Sequence, residues 1–254
     1  MVLVHDPFIP SPDTVGNESR GPERNKEPKD QKSRKDNFVA MVEYTDKLVG
    51  KIRQKLLDIG QLDNTIILFT SDNGTHSKIT SSWKGQKVKG AKGSMLDAGT
   101  HVPLIVSWPG KSLKGLKTDA LVDFTDFYPT LAEAANIKLS DEDPIDGHSF
   151  LPTILGKKRD EREFVLCHYQ PYWNKTPGQF ARTVKYKLYR DGRFYETQKD
   201  LQEKNDLSKK INSEKMMTAY KKLKVFLEKC PPAPTERKNK NADNRLVYPN
   251  WPKL

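Results

Sequence analysis

The pattern of apolar and polar positions changes several times along the chain. Val2 to Val4 form a short apolar run before a proline-containing turn, which predicts a buried opening strand. Residues 16 to 37 carry no apolar side chain except two prolines and predict an exposed loop. From Phe38, apolar residues recur at helical spacing through Met41 or Val42, Leu48 or Val49, Ile52 and Leu56. Asp36 or Asn37 is placed to cap that helix and Gly60 to stop it.

Ile66 to Thr70 then reads as a strand apolar on both faces, the pattern of a central parallel strand covered by helices. A loop rich in glycine, lysine and serine spans residues 71 to 100, and a second apolar strand follows over Val102 to Trp108. Phe124, Phe127, Leu131 and Ala134 predict a helix with Pro129 in its first turn, ending near Ala135. A loop and a short helix account for residues 141 to 156. Beyond residue 160 a small α+β unit is expected, with strands Arg182 to Tyr189 and Arg193 to Tyr195 joined at Asp191-Gly192. A helix over Met216 to Leu227 and an extended tail complete the pattern. The domain reading is an α/β portion over 1–157, a small α+β subdomain over 158–230 and a tail over 231–254.

Composition changes this picture little. The 254 residues carry 44 lysines and arginines against 33 acids, a net charge of +11. The lysines are scattered, and no zinc-knuckle spacing or long basic helix appears, so an anionic substrate is favoured over nucleic acid. No apolar run is long enough to span a membrane. The opening MVLVHDPFIP lacks the basic start and apolar core of a signal peptide. A chain that opens in mid-strand is expected to lack its natural start. Cys167 and Cys230, the two cysteines, have neither metal-knuckle nor redox spacing and read as free thiols.

The candidate chemistry begins at TIILFTSDNG, residues 65 to 74. Asp72 and Asn73 fall at the carboxyl end of the predicted strand, where open α/β sheets bind ligands. A carboxylate and an amide oxygen suit a hard cation such as calcium or magnesium, although Asp-Asn-Gly is also ordinary turn chemistry. Two such ligands leave an oxygen shell incomplete. In the loop beyond, Lys84, Lys87, Lys89 and Lys92 alternate with Gly85, Gly90 and Gly93. Lysines there offer point charges to an oxyanion, and an exposed basic loop accounts for the same residues. The run is not a phosphate-binding Walker loop, because Lys92 is followed by glycine. His5 stands directly after the opening strand, and no G-x-S-x-G elbow supports a serine triad.

Taken in order, MVLVHDPFIPSPD, MVEYTDKLVGKI, NTIILFTSDNGTH, GAKGSMLDAGTHVPLIVSWPG, DFYPTLAEAA and YKLYRDGRFYE resemble the type I, formylglycine-dependent sulfatases of the arylsulfatase-A-like kind. The resemblance covers roughly residues 1 to 228. It implies an alkaline-phosphatase-like α/β sandwich with a small C-terminal antiparallel sheet plus helix, and hydrolysis of a sulfate ester on a sulfated small molecule or polysaccharide. It implies one calcium, sometimes magnesium, with Asp72 and Asn73 among its ligands. Lys92 would contact the sulfate, and His5 the sulfate or the leaving oxygen. A periplasmic or secreted location goes with the family. Asp97-Ala98-Gly99 stands where many members have Glu-Gly-Gly.

The family nucleophile arises from Cys-x-Pro-Ser-Arg or Cys-x-Ala-Ser-Arg, and neither run occurs here. The expectation is therefore a C-terminal part of a sulfatase, incomplete N-terminally and inactive by itself. A non-catalytic binder of sulfated polyanions and a phosphoryl-transfer member of the same superfamily are the alternatives.

Overall fold

The computed structural model describes residues 8–15, 27–140, 142, 144–158, 162–170 and 177–232. The expected opening strand, most of the expected loop after residue 16 and nearly all of the tail lie outside those residues. The described residues divide into two compact units. One holds those up to Lys92 together with His101–Ser112; the other holds Gly93–Thr100 and those from Leu113 onward.

In the first unit, helix α1 (Pro12–Val15) precedes the long helix α2 (Gln31–Asp58). Lys47 pairs with Asp13 at 2.7 Å, and Asn37 donates to the Phe8 carbonyl at 2.7 Å. Helix α2 starts well before the expected cap at Asp36 or Asn37. Asp30 caps it instead, accepting from the Ser33 amide at 2.8 Å. The added turns are polar throughout, so no apolar rhythm marked them. The stop falls where expected, with Gly60 at φ +67°.

Strand β1 (Ile67–Thr70) is followed by β2 (Thr80–Trp83), β3 (Gln86–Lys89), the short helix α3 (Asp97–Thr100) and β4 (Leu104–Ser107). β1 pairs with β4 antiparallel, Ile67 opposite Ser107 and Thr70 opposite Leu104. The expected parallel pairing is thus replaced by a reversed one, because the chain comes back along β1 in the opposite sense. Neither strand is fully covered: all of β1 is half-buried and Ile105 is 61% exposed. β2 and β3 form a separate hairpin within the basic loop.

The second unit carries α4 (Phe127–Ala134) and the short α5 (Leu151–Ile154). Its antiparallel sheet runs in the order β5 (Val165–Tyr169), β6 (Gly178–Arg182), β7 (Tyr186–Tyr189) and β8 (Phe194–Glu196). The expected single strand over residues 182 to 189 is broken in the middle. The Thr183 amide donates to the Tyr186 carbonyl at 2.8 Å and the Thr183 hydroxyl accepts from the Tyr186 amide at 2.9 Å, which folds the segment into a tight turn. The Asp191-Gly192 hairpin is present, with Gly192 at φ +95°.

Helix α6 (Glu214–Lys229), capped by Ser213, packs on this sheet. Met216, Leu223 and Leu227 meet Ala181, Tyr186, Leu188 and Phe194 in the core. Each large apolar side chain buried there contributes about 1.5–3 kcal/mol. The small C-terminal sheet plus helix of an alkaline-phosphatase-like α/β protein is therefore present.

Phe180, Tyr189 and Tyr195 form a second cluster of the same unit with Met95 and Cys167. Among them lies a buried ion pair. Lys187 Nζ meets Glu203 Oε1 at 2.8 Å with both side chains essentially inaccessible, and Tyr189 Oη donates to Glu203 Oε2 at 2.5 Å. The same carboxylate accepts from the Asp97 amide at 2.7 Å. Lys187 also donates to the Met95 carbonyl and Arg182 pairs with Asp97. The segment that follows Lys92 in sequence is thereby fastened to β6 and β7 by buried charge.

Candidate functional site

Asp72 and Asn73 sit immediately beyond the carboxyl end of β1, Asp72 exposed and Asn73 half-buried. The turn is held by the Ser71 hydroxyl donating to the Asn73 carbonyl at 2.7 Å. Among the described residues, nothing hydrogen-bonds to the Asp72 carboxylate or the Asn73 side-chain amide. The carboxylate and the amide oxygen, adjacent in sequence, have a chemistry that fits a hard cation. No group of three or more His, Cys, Asp or Glu suited to a metal occurs among the described residues. The pair accordingly accounts for part of a shell of six to eight oxygens and not for the whole.

The structure brings Lys92 to this turn. Its backbone amide donates to the Thr75 carbonyl at 3.0 Å, three residues from Asp72, while its side chain is exposed. A second bond, from the Gly90 amide to the Ile79 carbonyl at 2.9 Å, closes the same loop. The approach requires glycine at residue 90: a Cβ there would lie 2.3 Å from the His76 carbonyl oxygen and 2.4 Å from that of Thr75. Ile79, 1% exposed, anchors the loop beneath. Asp72, Asn73 and Lys92, separated by some twenty residues of sequence, thus belong to one stapled loop. His5, the fourth expected site residue, lies outside the described residues.

His76 joins this loop although the sequence pattern gave it no role. Its ring packs edge-on against Phe8 at 5.0 Å, and its Nδ1 accepts from the Lys78 amide at 3.1 Å, which leaves the proton on Nε2. Burial, with the nearby charges of Lys78 and Lys92, holds its pKa below the ordinary value. His76 is therefore a neutral donor at pH 7. Proton titration of its ring resonances is expected to give a midpoint below 6.5; a midpoint at or above that value would show the ring solvated and apart from both lysines.

The cysteines are free thiols, Cys230 buried and Cys167 half-buried. Burial pushes the Cys167 thiol up to about 11 and raises that of Cys230, so neither is a thiolate at neutral pH.

The sulfatase family model matches residues 4–137. The chain belongs to the sulfatase family. A second model, the N-sulphoglucosamine sulphohydrolase C-terminal region, matches residues 90–230.

Among relatives, an uncharacterized sulfatase, YdeN, of Escherichia coli (strain K12) is 38% identical over 130 residues, 50% of this chain and 22% of that protein. Human steryl-sulfatase is 33% identical over 141 residues, 52% of this chain and 24% of that one. A structure solved in complex with its substrate D-glucosamine-2-N,6-O-disulfate superposes with a TM-score of 0.65 at 24% identity, covering 78% of this chain and 41% of that one. The chain thus spans about a quarter of the length of these curated relatives.

One expectation is overturned. The sulfatase chain was expected to hold only a C-terminal part of the family's architecture, yet the model of the sulfatase catalytic domain itself matches residues 4–137, from the first residues onward. The lack of a Cys-x-Pro-Ser-Arg run marks no boundary of that domain. Among the described residues no helix is long and apolar enough to cross a membrane.

Proposed function

We propose that this protein acts in the hydrolysis of sulfate esters of sugars, and that Asp72, Asn73 and Lys92 form its cation- and sulfate-binding loop. The observation that carries this reading is the 3.0 Å bond from the Lys92 amide to the Thr75 carbonyl, which ties an exposed cationic residue to the loop that begins at Asp72 and Asn73, whose side chains have no partner among the described residues. Membership of the sulfatase family supports it, as does the sulfated amino sugar bound by the solved relative.

Asp72 and Asn73 would hold calcium, or magnesium, through one carboxylate and one amide oxygen. A divalent cation bound there supplies Lewis-acid polarisation of the sulfuryl oxygens. Lys92 sets a point charge against the negative charge that grows on those oxygens as the ester bond breaks. His5 is the candidate to meet the sulfate or the leaving oxygen, which needs a proton as it departs. The nucleophile of the family reaction is a formylglycine. Neither cysteine stands in the run that yields it, and both thiols are held neutral by burial, so neither is assigned that part.

Terbium luminescence, with calcium as competitor, tests the cation pair directly. The unaltered chain is expected to bind, and Asp72→Ala to weaken the cation at least about tenfold by removing the only carboxylate of the pair. Equal affinity in the two proteins would remove Asp72 from the metal site.

A further inference from the structure

The β2–β3 hairpin has no part in the site just described, yet it rises directly from it. Gly90 and Lys92, which close the site loop, follow β3 without a break, and the bond from Gly90 to Ile79 forms the base of the hairpin. Lys84 and Gly85, at φ +48° and +77°, make its two-residue turn. That is the left-handed pair a type I′ turn requires, and a lysine takes the first place where asparagine, aspartate or glycine is usual. At about 3.3 Å per residue, four residues of strand carry the tip about 13 Å from the base.

The tip is chemically unusual for a surface hairpin. Trp83 is 59% exposed, with Lys84 Nζ 5.8 Å from its ring centroid. Ser82 lies opposite Lys87 in the register, so a hydroxyl and an ammonium share one face. Among the described residues no carboxylate pairs with Lys84 or Lys87. A tryptophan left in water offers a flat apolar surface, which suits the apolar face of a sugar ring. Lys84 beside it suits an anionic substituent, whereas Lys87, paired with Ser82, lies on the other face of the hairpin. Trp83 and Lys84 together, one strand-length from a sulfate-binding loop, fit a sulfated chain longer than a single sugar.

We infer that the hairpin tip, through Trp83 and Lys84, is a second binding subsite for sulfated oligosaccharides, holding rings beyond the one at Lys92. The inference rests on the sulfated-sugar reading above. The tip takes a ring by stacking and its sulfates by charge, so it adds affinity only for occupants that reach from the loop to the tip. A nucleic acid presents phosphates as well, but a single exposed aromatic provides no platform for successive bases.

Isothermal titration calorimetry with a heparin-derived hexasaccharide, a sulfated glucosamine monosaccharide and a single-stranded DNA of equal charge separates these possibilities. Lys84→Ala and Trp83→Ala are each expected to weaken the hexasaccharide about tenfold and to leave the monosaccharide unchanged. The charge-matched control Lys51→Ala, at an exposed position of α2, is expected to weaken the hexasaccharide far less. Equal weakening by that control, or DNA binding as tight as the hexasaccharide, would overturn the subsite in favour of unspecific charge. Hexasaccharide binding that depends on the hairpin while the monosaccharide fails to bind would support the subsite and overturn the loop reading instead.

Discussion

Glu203→Ala is expected to destabilise the protein by about 3–5 kcal/mol, measured by urea denaturation followed by circular dichroism. The change removes the only carboxylate within hydrogen-bond reach of Lys187 Nζ among the described residues and strands that ammonium in the interior. It also deprives the Asp97 amide of its acceptor and leaves the Tyr189 hydroxyl only the longer bond to the Met95 carbonyl at 3.1 Å. The intact pair is not itself a large source of stability, because desolvating two ions offsets most of their attraction. A Lys187→Met/Glu203→Leu double variant is accordingly expected to be more stable than Glu203→Ala.

The pH dependence has a definite sign. Burial lowers the Lys187 pKa, with Glu203 opposing that shift. A folded-state pKa below the unfolded value means that the unfolded chain binds more protons, so this group's contribution rises with pH through that window. Removing Glu203 deepens the depression. The deficit of Glu203→Ala should therefore shrink as the pH approaches the ordinary lysine range, and a deficit under about 1 kcal/mol at every pH would mean the pair is solvated in solution.

The second large effect is at Gly90. Valine there is expected to cost roughly 2–4 kcal/mol, since its Cβ would stand 2.3 Å from a backbone oxygen that has no freedom to swing aside. Relief requires parting residues 75–76 from residues 90–92, which breaks the bonds at Ile79 and Thr75. Gly50, inside α2 with nothing within 4 Å of a built Cβ, is the contrast. Alanine there should stabilise by up to about 1 kcal/mol through helix propensity. Amide exchange checks the mechanism: Gly90→Val should lose protection at Lys92, and retained protection would show the loop adapting without opening.

These two positions also show what the sequence could and could not reveal. The apolar rhythm located α2, α4 and α6 and the strand leading to Asp72, because each buries one face or one end. It missed the first turns of α2, whose stability comes from a cap and not from burial. The reversed pairing of β1 with β4 is a property of how the connection returns, which strand composition does not encode. The β2–β3 hairpin escaped notice because TSSW and QKVK are polar and exposed, and because lysine occupies the turn position. Nothing in the local sequence YKLY marks Lys187 as buried. Its partner Glu203 is sixteen residues away, beyond any periodic window. For the proposed site, strand-end position pointed to Asp72 and Asn73, whereas Lys92 was one of four lysines in the loop and stood apart only through the family resemblance. That a backbone bond ties Lys92 to Thr75, and that His76 belongs to the same loop, is visible only in three dimensions.

The central claim is that Asp72, Asn73 and Lys92 act as one cation-linked sulfate site. The most direct measurement is calorimetric titration of a sulfated glucosamine into the chain with and without calcium, repeated on Lys92→Ala. Calcium is expected to tighten the sulfated sugar, and Lys92→Ala to weaken it at least about tenfold while terbium still binds at Asp72. Sugar affinity indifferent to calcium and unchanged in Lys92→Ala would contradict it.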